Sequence, residues 1–586
     1  MQKLASLAQS DFLKKAEALA QPELKLREPE AAVLKTLKER VRYPEIPSLF
    51  VCRLTKTEPL ADPSLSLPVS AGLTDPVLMA ARQLSLFKDL KWIVDLQKKT
   101  HSERDYFNEI QIAEAKTRTH FSSSEVSHEA LSFFLKEVLE NAYETGAKLT
   151  EPTSLLQTKT PTTESADSRV QEALQQIEKL WPNLIRMPEP KPGSSLLPVP
   201  YPVLIPAGRF QESYYWDTYY GILGLLLSGR LELAQMQIEN LLNSVQSFGF
   251  VPNGGRDYYL SRSQPPFLST SVRLVFEASW KAQPERRREL LRWLKERGFP
   301  LTAFDYQNFW MNPETRFDEA HGLNHHWDAF DSPRPERHGS DCEERLGQSY
   351  RAVRAAAESG LDFTLTHEGQ SSRLASVLLN SLLFETEMNL SWMAEKLELI
   401  EKSKDFLERA QRRKRAVDLY LWNPESGTYR PYHLDENRRL EQDSAESLFP
   451  LLVGLASQEQ AARLREFLSR LESPNGLRAS CLIESPHQWD GDNAWAPFHI
   501  TAIEGLNRYQ YFEDAERLKS KWLRLVLDTF ERTGKFYERY DLKACSEAKD
   551  DGQKYPVQEG FLWTNASVLW ALRRSLSVSS EKQDLA

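Results

Sequence analysis

Apolar side chains recur at helical spacing along most of this chain, and no other feature of the sequence constrains the fold as strongly. In 231–248 the apolar residues of one helix face are Leu231, Ala234, Ile238, Leu241, Leu242 and Val245. Gly249 follows at the position of a helix C-cap. In 457–471, Ser457 and Gln460 have the spacing of a capping box and precede a second apolar face. The pattern predicts regular helices with defined ends.

Helical periodicity continues beyond these two segments, whereas the alternation of apolar and polar residues that is typical of strands is scarce. Comparable helical patterns occupy 376–402, 403–421, 513–531 and 563–575. Since no strands separate the predicted helices, the chain cannot build a parallel sheet between them. The order of helix, polar or aromatic loop, and helix predicts an all-α protein. Both a closed toroid of paired helices and an open helical solenoid would produce this order.

The length and charge of the chain exclude several classes of protein. Its 586 residues, 41% of them apolar, suffice for a large buried core in one domain with appendages or in two domains. The net charge of -9 and the lack of a long basic stripe argue against nucleic-acid binding.

Residues 1–75 are charged and interrupted by prolines, and we interpret them as an N-terminal helical extension. The Thr-, Ser- and Pro-rich segment 149–168 predicts an exposed linker.

The cysteines and the apolar runs predict a location. Cys52, Cys342, Cys481 and Cys545 are far apart and form no CxxC pair, which favours free thiols in a reducing cytoplasm. The N-terminus has charges throughout and lacks the continuous apolar core of a secretory signal. The longest apolar run, 221–227, is too short to cross a membrane. These features predict a cytoplasmic protein without membrane contact.

Two clusters of aromatic and charged residues have the chemistry that sugar binding needs. Within PAGRFQESYYWDTYY at 206–220, four tyrosines accompany Arg209, Glu212, Trp216 and Asp217. Aromatic rings stack on the C–H faces of sugars, while guanidinium and carboxylate groups bind hydroxyls. The stretch QWDGDNAWAP at 488–497 repeats this chemistry far away in the sequence. We therefore expect one carbohydrate pocket that is assembled from distant loops.

Other catalytic chemistries have little support in the sequence. It contains no P-loop, GxGxxG, HExxH or GxSxG, and the adjacent His325 and His326 lack a third ligand at a convincing spacing, which argues against a metal site. The remaining carboxylates, arginines and aromatics fit glycoside hydrolysis. That reaction needs one carboxylic acid to protonate the leaving oxygen and a second carboxylate to activate water or attack the anomeric carbon. The sequence alone does not select this pair from its 83 acidic residues.

The two clusters belong to a longer series of motifs that resembles the α,α-trehalases of glycoside hydrolase family 37. PAGRFQESYYWDTYY is similar to the family pattern PGGRFxExYxWDxY, and QWDGDNAWAP is similar to QWDxPxGWAP. Further similar segments, in the family's order, are IEKLWPNLIR at 177–186, VPNGGRDYYLSRSQPPF at 251–267, RPE at 334–336, AESGLDF at 357–363, YERYD at 537–541 and YPVQEGFLWTN at 555–565. The resemblance covers most of the chain after about residue 80.

The resemblance implies an (α/α)6 barrel, which is a closed ring of inner and outer helices. It also implies hydrolysis of trehalose to two glucoses with inversion and without a cofactor. The catalytic domain would span 76–578, with the extension 1–75 before it and a C-terminal tail, 579–586, after it. Trehalose is then the expected partner, and we predict a monomer.

The resemblance also assigns roles to individual residues. Asp362 in SGLDF matches the general acid, and Glu538 in YERYD matches the general base. The arginines that surround the base and the sugar match Arg209, Arg262 and Arg334. The hydroxyl-binding positions match Trp216, Asp217, Asn253, Gln264, Glu336 and the backbone of Gly360, with Ser263 and Pro335 among them, while an aromatic wall matches Trp489.

These roles carry physical expectations. Asp362 must stay protonated near neutral pH, which a poorly solvated pocket favours. Glu538 must stay ionised, which nearby arginines would favour. An inverting pair leaves room for a water molecule, so the two carboxyl groups should lie roughly 6.5–9.5 Å apart.

Departures from the family motifs leave two alternatives open. Leu361 replaces a tryptophan beside the proposed acid. The family's glycine-rich loop ending in GGGEY reads CSEAKDDGQKY at 545–555, with Lys554 in place of a glutamate. A lysine is a cationic point contact and cannot accept hydroxyl protons as a carboxylate does. The alternatives are a hydrolase of the same fold with another disaccharide specificity, and a catalytically weak sugar-binding protein.

Overall fold

The computed structural model describes residues 167–190, 194–337, 349–548 and 555–583, together with Asp341 and parts of 91–149. The predicted extension 1–75, most of the predicted linker 149–168, and Lys554 lie outside the described residues. The same is true of Cys52 and Cys342, whereas Cys481 and Cys545 are described as free thiols.

Helices make up most of the described chain, as the periodicity predicts. In chain order they are α1 (His128–Ala142), α2 (Ser168–Leu184), α3 (Tyr215–Leu227), α4 (Leu231–Phe248), α5 (Leu268–Ala282), α6 (Arg287–Trp293), α7 (Phe299–Phe304), α8 (Tyr350–Ser359), α9 (Val377–Lys396), α10 (Ile400–Tyr420), α11 (Phe449–Leu452), α12 (Gln458–Leu471), α13 (Ala496–Arg508), α14 (Phe512–Thr533) and α15 (Leu562–Gln583). Two π-helical segments, Leu294–Gly298 and Asp305–Trp310, continue α6 through α7 as one helical stretch.

From α2 onward the helices alternate between an outer and an inner ring, except that α8 lies in the connection before α9 and belongs to neither ring. The inner ring consists of α3, α5, α9, α11, α13 and α15, and each of these helices contacts the next one. The ring closes because α15 contacts α3. The outer partners are α2, α4, the α6–α7 stretch, α10, α12 and α14. This closed order is an (α/α)6 barrel, and it excludes the open solenoid that the sequence left possible.

Burial distinguishes the two rings. In the inner helix α9, residues on all sides of the helix are buried, whereas the outer helix α10 buries one stripe made by Phe406, Ala410, Arg413 and Val417. An inner helix meets neighbours in every direction, while an outer helix faces solvent on its far side. The inner helices also approach closely: a Cβ atom at Gly505 of α13 would lie 2.6 Å from the Cβ atom of Leu451 in α11.

Several predicted helix boundaries are confirmed. Gly249 ends α4 in the left-handed conformation with φ 85°, and Ser457 and Gln460 form the predicted capping box of α12. The predicted boundary at 402/403 is wrong, since α9 ends at Lys396 and α10 begins at Ile400. Glu398 between them has φ 58°, so the helix cannot continue through it. The last helix continues through Gln583, past the predicted start of the tail.

Strands are short and form small antiparallel sheets of two or three strands in the loops. They are β1 (Gln97–Lys98), β2 (Tyr143–Glu144), β3 (Ala147–Leu149), β4 (Ile185–Pro188), β5 (Val203–Leu204), β6 (Phe317–Asp318), β7 (Leu323–Asn324), β8 (Leu374–Ala375), β9 (Trp422–Asn423), β10 (Thr428–Tyr429), β11 (Tyr432–His433), β12 (Arg438–Arg439), β13 (Glu472–Ser473), β14 (Gly476–Leu477), β15 (Asn493–Ala494), β16 (Tyr540–Asp541) and β17 (Ser546–Glu547). The antiparallel order β15–β16–β17 brings the QWDGDNAWAP loop next to YERYD. None of the helices described here is long and apolar enough to cross a bilayer.

Candidate active site

One pocket collects the residues that the sequence motifs single out. Its lining comes from loops before the inner helices, from the first turns of α3 and α15, and from the last turn of α8. The predicted site residues that line it are Arg209, Trp216, Asp217, Asn253, Arg262, Gln264, Arg334, Glu336, Gly360, Asp362, Trp489 and Glu538. The closed ring therefore brings together segments that are separated by many helices.

Asp362 lies just after α8 and is held by an arginine. Arg334 donates from Nη1 to Asp362 Oδ2 at 3.2 Å. The same guanidinium is fixed by Asp341, with Nη2 to Oδ1 at 2.7 Å and Nε to Oδ2 at 2.9 Å. The Asp362 side chain keeps 23% of its surface exposed, so it faces the open part of the pocket.

Gly360 shapes the turn that carries Asp362. It ends α8 in the left-handed conformation with φ 75°. A Cβ atom at this position would lie 3.0 Å from Trp216 Cζ2, which is tighter than an ordinary van der Waals contact. Only glycine combines this φ with such a close approach at low cost. The family resemblance gave Gly360 a backbone role, and this close packing explains why a side chain is excluded.

We expect Gly360→Ala to lower stability by about 1–2 kcal/mol, because alanine is strained at positive φ, and also to raise KM by displacing Trp216. Gly534→Ala is a matched control, since Gly534 ends α14 at φ 70° and its added Cβ would meet nothing within 4 Å. Both variants should lower the melting temperature, but only the first should change KM. Equal KM values for the two variants would contradict the proposed contact.

Glu538 is buried beneath the pocket and tightly hydrogen-bonded. Its side chain accepts the Tyr555 hydroxyl at 2.8 Å on Oε1 and the Gln558 backbone N–H at 3.4 Å on Oε2. Its backbone oxygen accepts the Trp563 indole N–H at 2.9 Å. Two strands of the β15–β16–β17 sheet follow it directly, and only 2% of the residue is exposed. These contacts fix the carboxyl group in one orientation.

Burial dominates the electrostatics of Glu538. Desolvation raises its pKa to about 7, against the opposing effects of Arg539, the Tyr555 hydrogen bond and Arg209. Nearby arginines favour the ionised form, as expected, but the effect of burial outweighs theirs. Among the predicted arginines, Arg209 lowers this pKa, whereas Arg262 and Arg334 form ion pairs with other carboxylates.

A second buried carboxyl group lies close to Glu538. Asp217 lies in the first turn of α3 and is 5% exposed. Desolvation, followed by the charge of Glu538, raises the pKa of Asp217 to about 8. The protonated form of Asp217 can donate a hydrogen bond that a carboxylate cannot.

Arg262 and Glu336 form an ionised pair on the pocket wall. Arg262 donates to Glu336 Oε1 at 2.7 Å and to Asn253 Oδ1 at 2.9 Å. Although burial alone would raise it, Arg262 and Arg334 lower the pKa of Glu336 to about 2. Its other oxygen, Oε2, is buried and has no hydrogen-bond partner among the described residues. Such an acceptor is suited to a ligand hydroxyl.

Aromatic rings form a continuous wall. Trp489 stacks on Trp495 with ring centroids 3.8 Å apart, and Trp216 lies 5.6 Å from Trp489. The Arg209 guanidinium lies over the Tyr555 ring at 4.7 Å from its centroid.

Some residues line the pocket although they were not selected from the sequence. They include Arg337, Phe363, Gln488, Trp495, Tyr555, Phe561 and Trp563. Most belong to quoted motifs, QWDGDNAWAP and YPVQEGFLWTN, so the motifs held the signal although no role was assigned to these residues.

Three residues expected at the sugar are not part of the pocket lining. Ser263 donates its backbone N–H to Glu358 at 2.8 Å and its hydroxyl to the Val251 carbonyl at 2.6 Å, so it braces the loop before α5. Pro335 begins a 3-10 turn, Pro335–Arg337, and so places its neighbours Arg334 and Glu336. Residues next to both of them line the pocket, but which side chains of a motif face the pocket depends on packing.

Glu212 is the third, and it belongs to a buried ionic cluster behind the pocket. Arg256 donates to Glu212 Oε2 at 2.9 Å, and Lys91 Nζ lies 2.6 Å from Oε1. Tyr214 donates to the same carboxylate. Although burial opposes it, Lys91 and Arg256 lower the pKa of Glu212 to about 2. Because these partners already satisfy both oxygens, the expected contact between Glu212 and a sugar is wrong.

Comparisons with known proteins agree over most of the chain. The family model named Trehalase matches residues 85–575. A periplasmic trehalase of Xanthomonas oryzae pv. oryzae is 36% identical over 415 residues, which cover 68% of this chain and 72% of the relative. A periplasmic trehalase of Pseudomonas aeruginosa is 36% identical over 416 residues, covering 68% of this chain and 75% of the relative.

A solved structure is similar as well. The neutral trehalase Nth1 from Saccharomyces cerevisiae has a TM-score of 0.56 and 28% sequence identity, covering 64% of this chain and 73% of that one.

The predicted cytoplasmic location is contradicted by the bacterial relatives, which are named periplasmic trehalases. The absence of paired cysteines is a poor criterion for cellular location. A chain with a large core needs no disulfides for stability, whether it lies in the cytoplasm or in the periplasm. The N-terminal segment on which the other part of that prediction rested lies outside the described residues.

Proposed function

Because the chain belongs to the trehalase family, we propose that its pocket hydrolyses α,α-trehalose to two molecules of glucose with inversion at the attacked carbon. The observation that carries the proposal is the presence of Asp362 and Glu538 in one pocket, each fixed by its own hydrogen bonds. One carboxyl group faces the open part of the pocket and the other lies buried, so their environments differ. Carboxyl groups in unlike environments can serve as acid and base in a single reaction.

In the proposed reaction, Asp362 donates its proton to the oxygen that joins the two glucose units, and the bond from that oxygen to the attacked carbon breaks. A water molecule forms the new bond from the opposite face while Glu538 accepts its proton. Each turnover thus yields one β-glucose from the attacked unit and one α-glucose from the leaving unit. We predict a carboxyl separation of roughly 6.5–9.5 Å, which leaves room for this water.

The other pocket residues would bind and orient the sugar. The free oxygen of Glu336 would accept a hydroxyl, and Asp217 in its protonated form would donate to one. The Arg209 and Arg262 guanidinium groups would donate to hydroxyl oxygens. Trp489 would offer a ring face to the C–H surface of a glucose unit.

The bacterial relatives are named periplasmic trehalases, so we also propose a periplasmic location for this protein. Cell fractionation would test it.

The pH profile should report the titration of Glu538. A base with a pKa of about 7 is ionised only above that pH, so kcat/KM should fall as the pH drops through about 7. Tyr555→Phe removes a hydrogen bond that stabilises the charged form, so the pKa of Glu538 should rise. The acidic limb of the profile should therefore move up by about one pH unit. The phenylalanine ring preserves the stacking with Arg209.

Tyr306→Phe serves as the matched control. Tyr306 also donates its hydroxyl to a buried carboxylate, Glu387, at 2.7 Å, but it does not line the pocket. The control should lose some stability and keep its acidic limb unchanged. An acidic limb that stays in place or moves to lower pH in Tyr555→Phe would contradict the assignment of Glu538 as base.

The function itself is tested by following the anomeric protons by NMR during incubation of the purified protein with trehalose. Equal initial amounts of α- and β-glucose would support inverting hydrolysis of trehalose. Initial release of α-glucose alone would indicate retention and overturn the inverting mechanism. No glucose from folded protein would overturn the function and favour another α-linked disaccharide or sugar binding without turnover.

A further inference from the structure

Asp490, in the QWD sequence at 488–490, is a fully buried carboxylate next to the pocket. It is 0% exposed and does not itself line the pocket, although its neighbours Gln488 and Trp489 do. Among the described residues, the hydrogen-bond partners of its side chain are three hydroxyl groups and one backbone N–H, and none of these partners is charged. A buried carboxylate that is satisfied only by directional, neutral donors holds those donors in fixed positions.

Two of these donors belong to the segment that carries Asp362. The Thr364 hydroxyl donates to Asp490 Oδ1 at 2.6 Å, and the Leu365 backbone N–H donates to Oδ2 at 2.8 Å. A third bond runs alongside, from the Trp489 backbone N–H to the Phe363 carbonyl at 3.0 Å. The three residues that follow Asp362 are therefore bound one after another to Trp489 and Asp490.

The other two donors belong to the loop at 480–485. Ser485 donates its hydroxyl to Asp490 Oδ2 at 2.6 Å, and Ser480 donates to Oδ1 at 3.3 Å. The Ser480 hydroxyl also accepts the Gly491 backbone N–H at 3.1 Å. Asp490 therefore joins the Asp362 segment to a loop between β14 and β15. That loop is tied to the barrel by a hydrogen bond from Ala445 to Ala479.

Farther along, the Asp362 segment has a second anchor. His367 Nε2 lies 3.1 Å from Glu446 Oε2, and Glu446 Oε1 accepts the Leu378 backbone N–H at the start of the inner helix α9. At the near end, Gly360 ends α8 against Trp216. Between these two fixed points, Arg334 holds the Asp362 carboxyl group itself, while the bonds to Trp489 and Asp490 hold the three residues that follow Asp362.

We propose that Asp490 is a positioning residue for the general acid: by holding Thr364 and Leu365, it places the Asp362 carboxyl group at the oxygen it protonates. The proposal rests on the proposed function, because it assumes that Asp362 is the acid. Errors of about 1 Å in the position of a catalytic group can cost about a hundredfold in rate. Loss of the hydrogen bonds from Thr364 and Leu365 to Asp490 should therefore slow the protonation step more than it weakens substrate binding.

Two substrates separate this role from a structural one. Trehalose has a poor leaving group and depends on protonation, whereas α-D-glucosyl fluoride releases fluoride with little need for an acid. We expect Asp490→Asn to lower kcat on trehalose by about a hundredfold, with KM changed by less than about threefold. Its kcat on the fluoride should fall by less than about threefold, so that the ratio of the two activities shifts as it does in Asp362→Asn.

Thr364→Val is a second and milder variant, since it removes one hydroxyl donor and preserves size. It should shift the same activity ratio by about threefold to tenfold, and it keeps the proposal testable if Asp490→Asn does not fold. Asp443→Asn is a control. Asp443 is also a buried carboxylate that accepts a threonine hydroxyl, from Thr428 at 2.8 Å, although it also forms ion pairs with Arg430 and Arg470. Among the described residues, its side chain bonds to none in 360–367. Its loss should lower the melting temperature and leave the ratio unchanged.

Equal losses on both substrates in Asp490→Asn and Thr364→Val would overturn the proposal and make Asp490 a purely structural residue. The same conclusion would follow if neither variant changed the trehalose rate. If the unmodified protein cleaves the fluoride but not trehalose, the proposed function fails separately. The positioning role of Asp490 is then tested with whichever α-linked disaccharide the protein does cleave. The measured quantity is again the activity on the disaccharide relative to the activity on the fluoride.

Discussion

Glu538→Gln should lower kcat by about 10²–10⁴-fold on both trehalose and α-D-glucosyl fluoride. Both reactions need a base to accept a proton from the attacking water, and an amide cannot accept it. The glutamine keeps the size of the side chain, and its oxygen can still accept the Tyr555 hydroxyl, which donates at 2.8 Å in the native protein. Steady-state rates on the two substrates measure the effect, with calorimetry on a non-hydrolysed sugar to show that binding persists.

Glu385→Gln is a suitable control for this variant. Glu385 lies on the inner helix α9, its pKa is also raised by burial, and it accepts the Thr270 hydroxyl at 2.9 Å without lining the pocket. We expect activity within about twofold of the native value, since no reacting group is removed. If Glu538→Gln retained most of its activity on either substrate, another group would have to be the base.

Asp362→Asn should lower kcat on trehalose by about 10²–10⁴-fold, but it should affect the fluoride only slightly. Asparagine cannot protonate the leaving oxygen, and fluoride needs little such help. Arg334 would lose the charge of the group it holds at 3.2 Å, although the amide oxygen can still accept from it, and it would keep its bidentate contact with Asp341, so the wall of the pocket should persist. Rates on both substrates and the melting temperature measure the outcome.

The contrast between these two variants tests the assignment more sharply than either variant alone. Removing the base should lower the activity on both substrates, whereas removing the acid should lower the activity on trehalose alone. If Asp362→Asn were inactive on the fluoride as well, while still folded and still able to bind sugar, Asp362 would not be the acid. In that event the carboxyl group at Asp217, which shares the pocket, would be the next candidate.

Much of the candidate site could be predicted because its motifs are local. Arg209, Trp216 and Asp217 lie within eight positions of each other in one stretch, and all three line the pocket. Ser263 and Pro335 lie in equally local motifs and yet do not line it. Their motifs place the loop correctly, but which side chains of a loop face the pocket depends on the elements packed against it.

The sequence by itself determined where the helices lie and how several of them end. The apolar spacing in α4, its left-handed Gly249 and the capping box of α12 depend only on residues within a few positions of each other. Only the tertiary structure decided that the helices close into a ring, that Glu212 bonds to Lys91 and Arg256, and that Asp490 holds the segment behind Asp362.

The tertiary structure also decided the pKa of Glu538, in which burial outweighs the arginines that favour the charged form. Desolvation is the sum of contributions from every neighbouring atom, and here those atoms come from YERYD, from the segment around Tyr555 and from α3 and α15. Such a sum exists only when distant segments pack together, so no local pattern of residues can contain it.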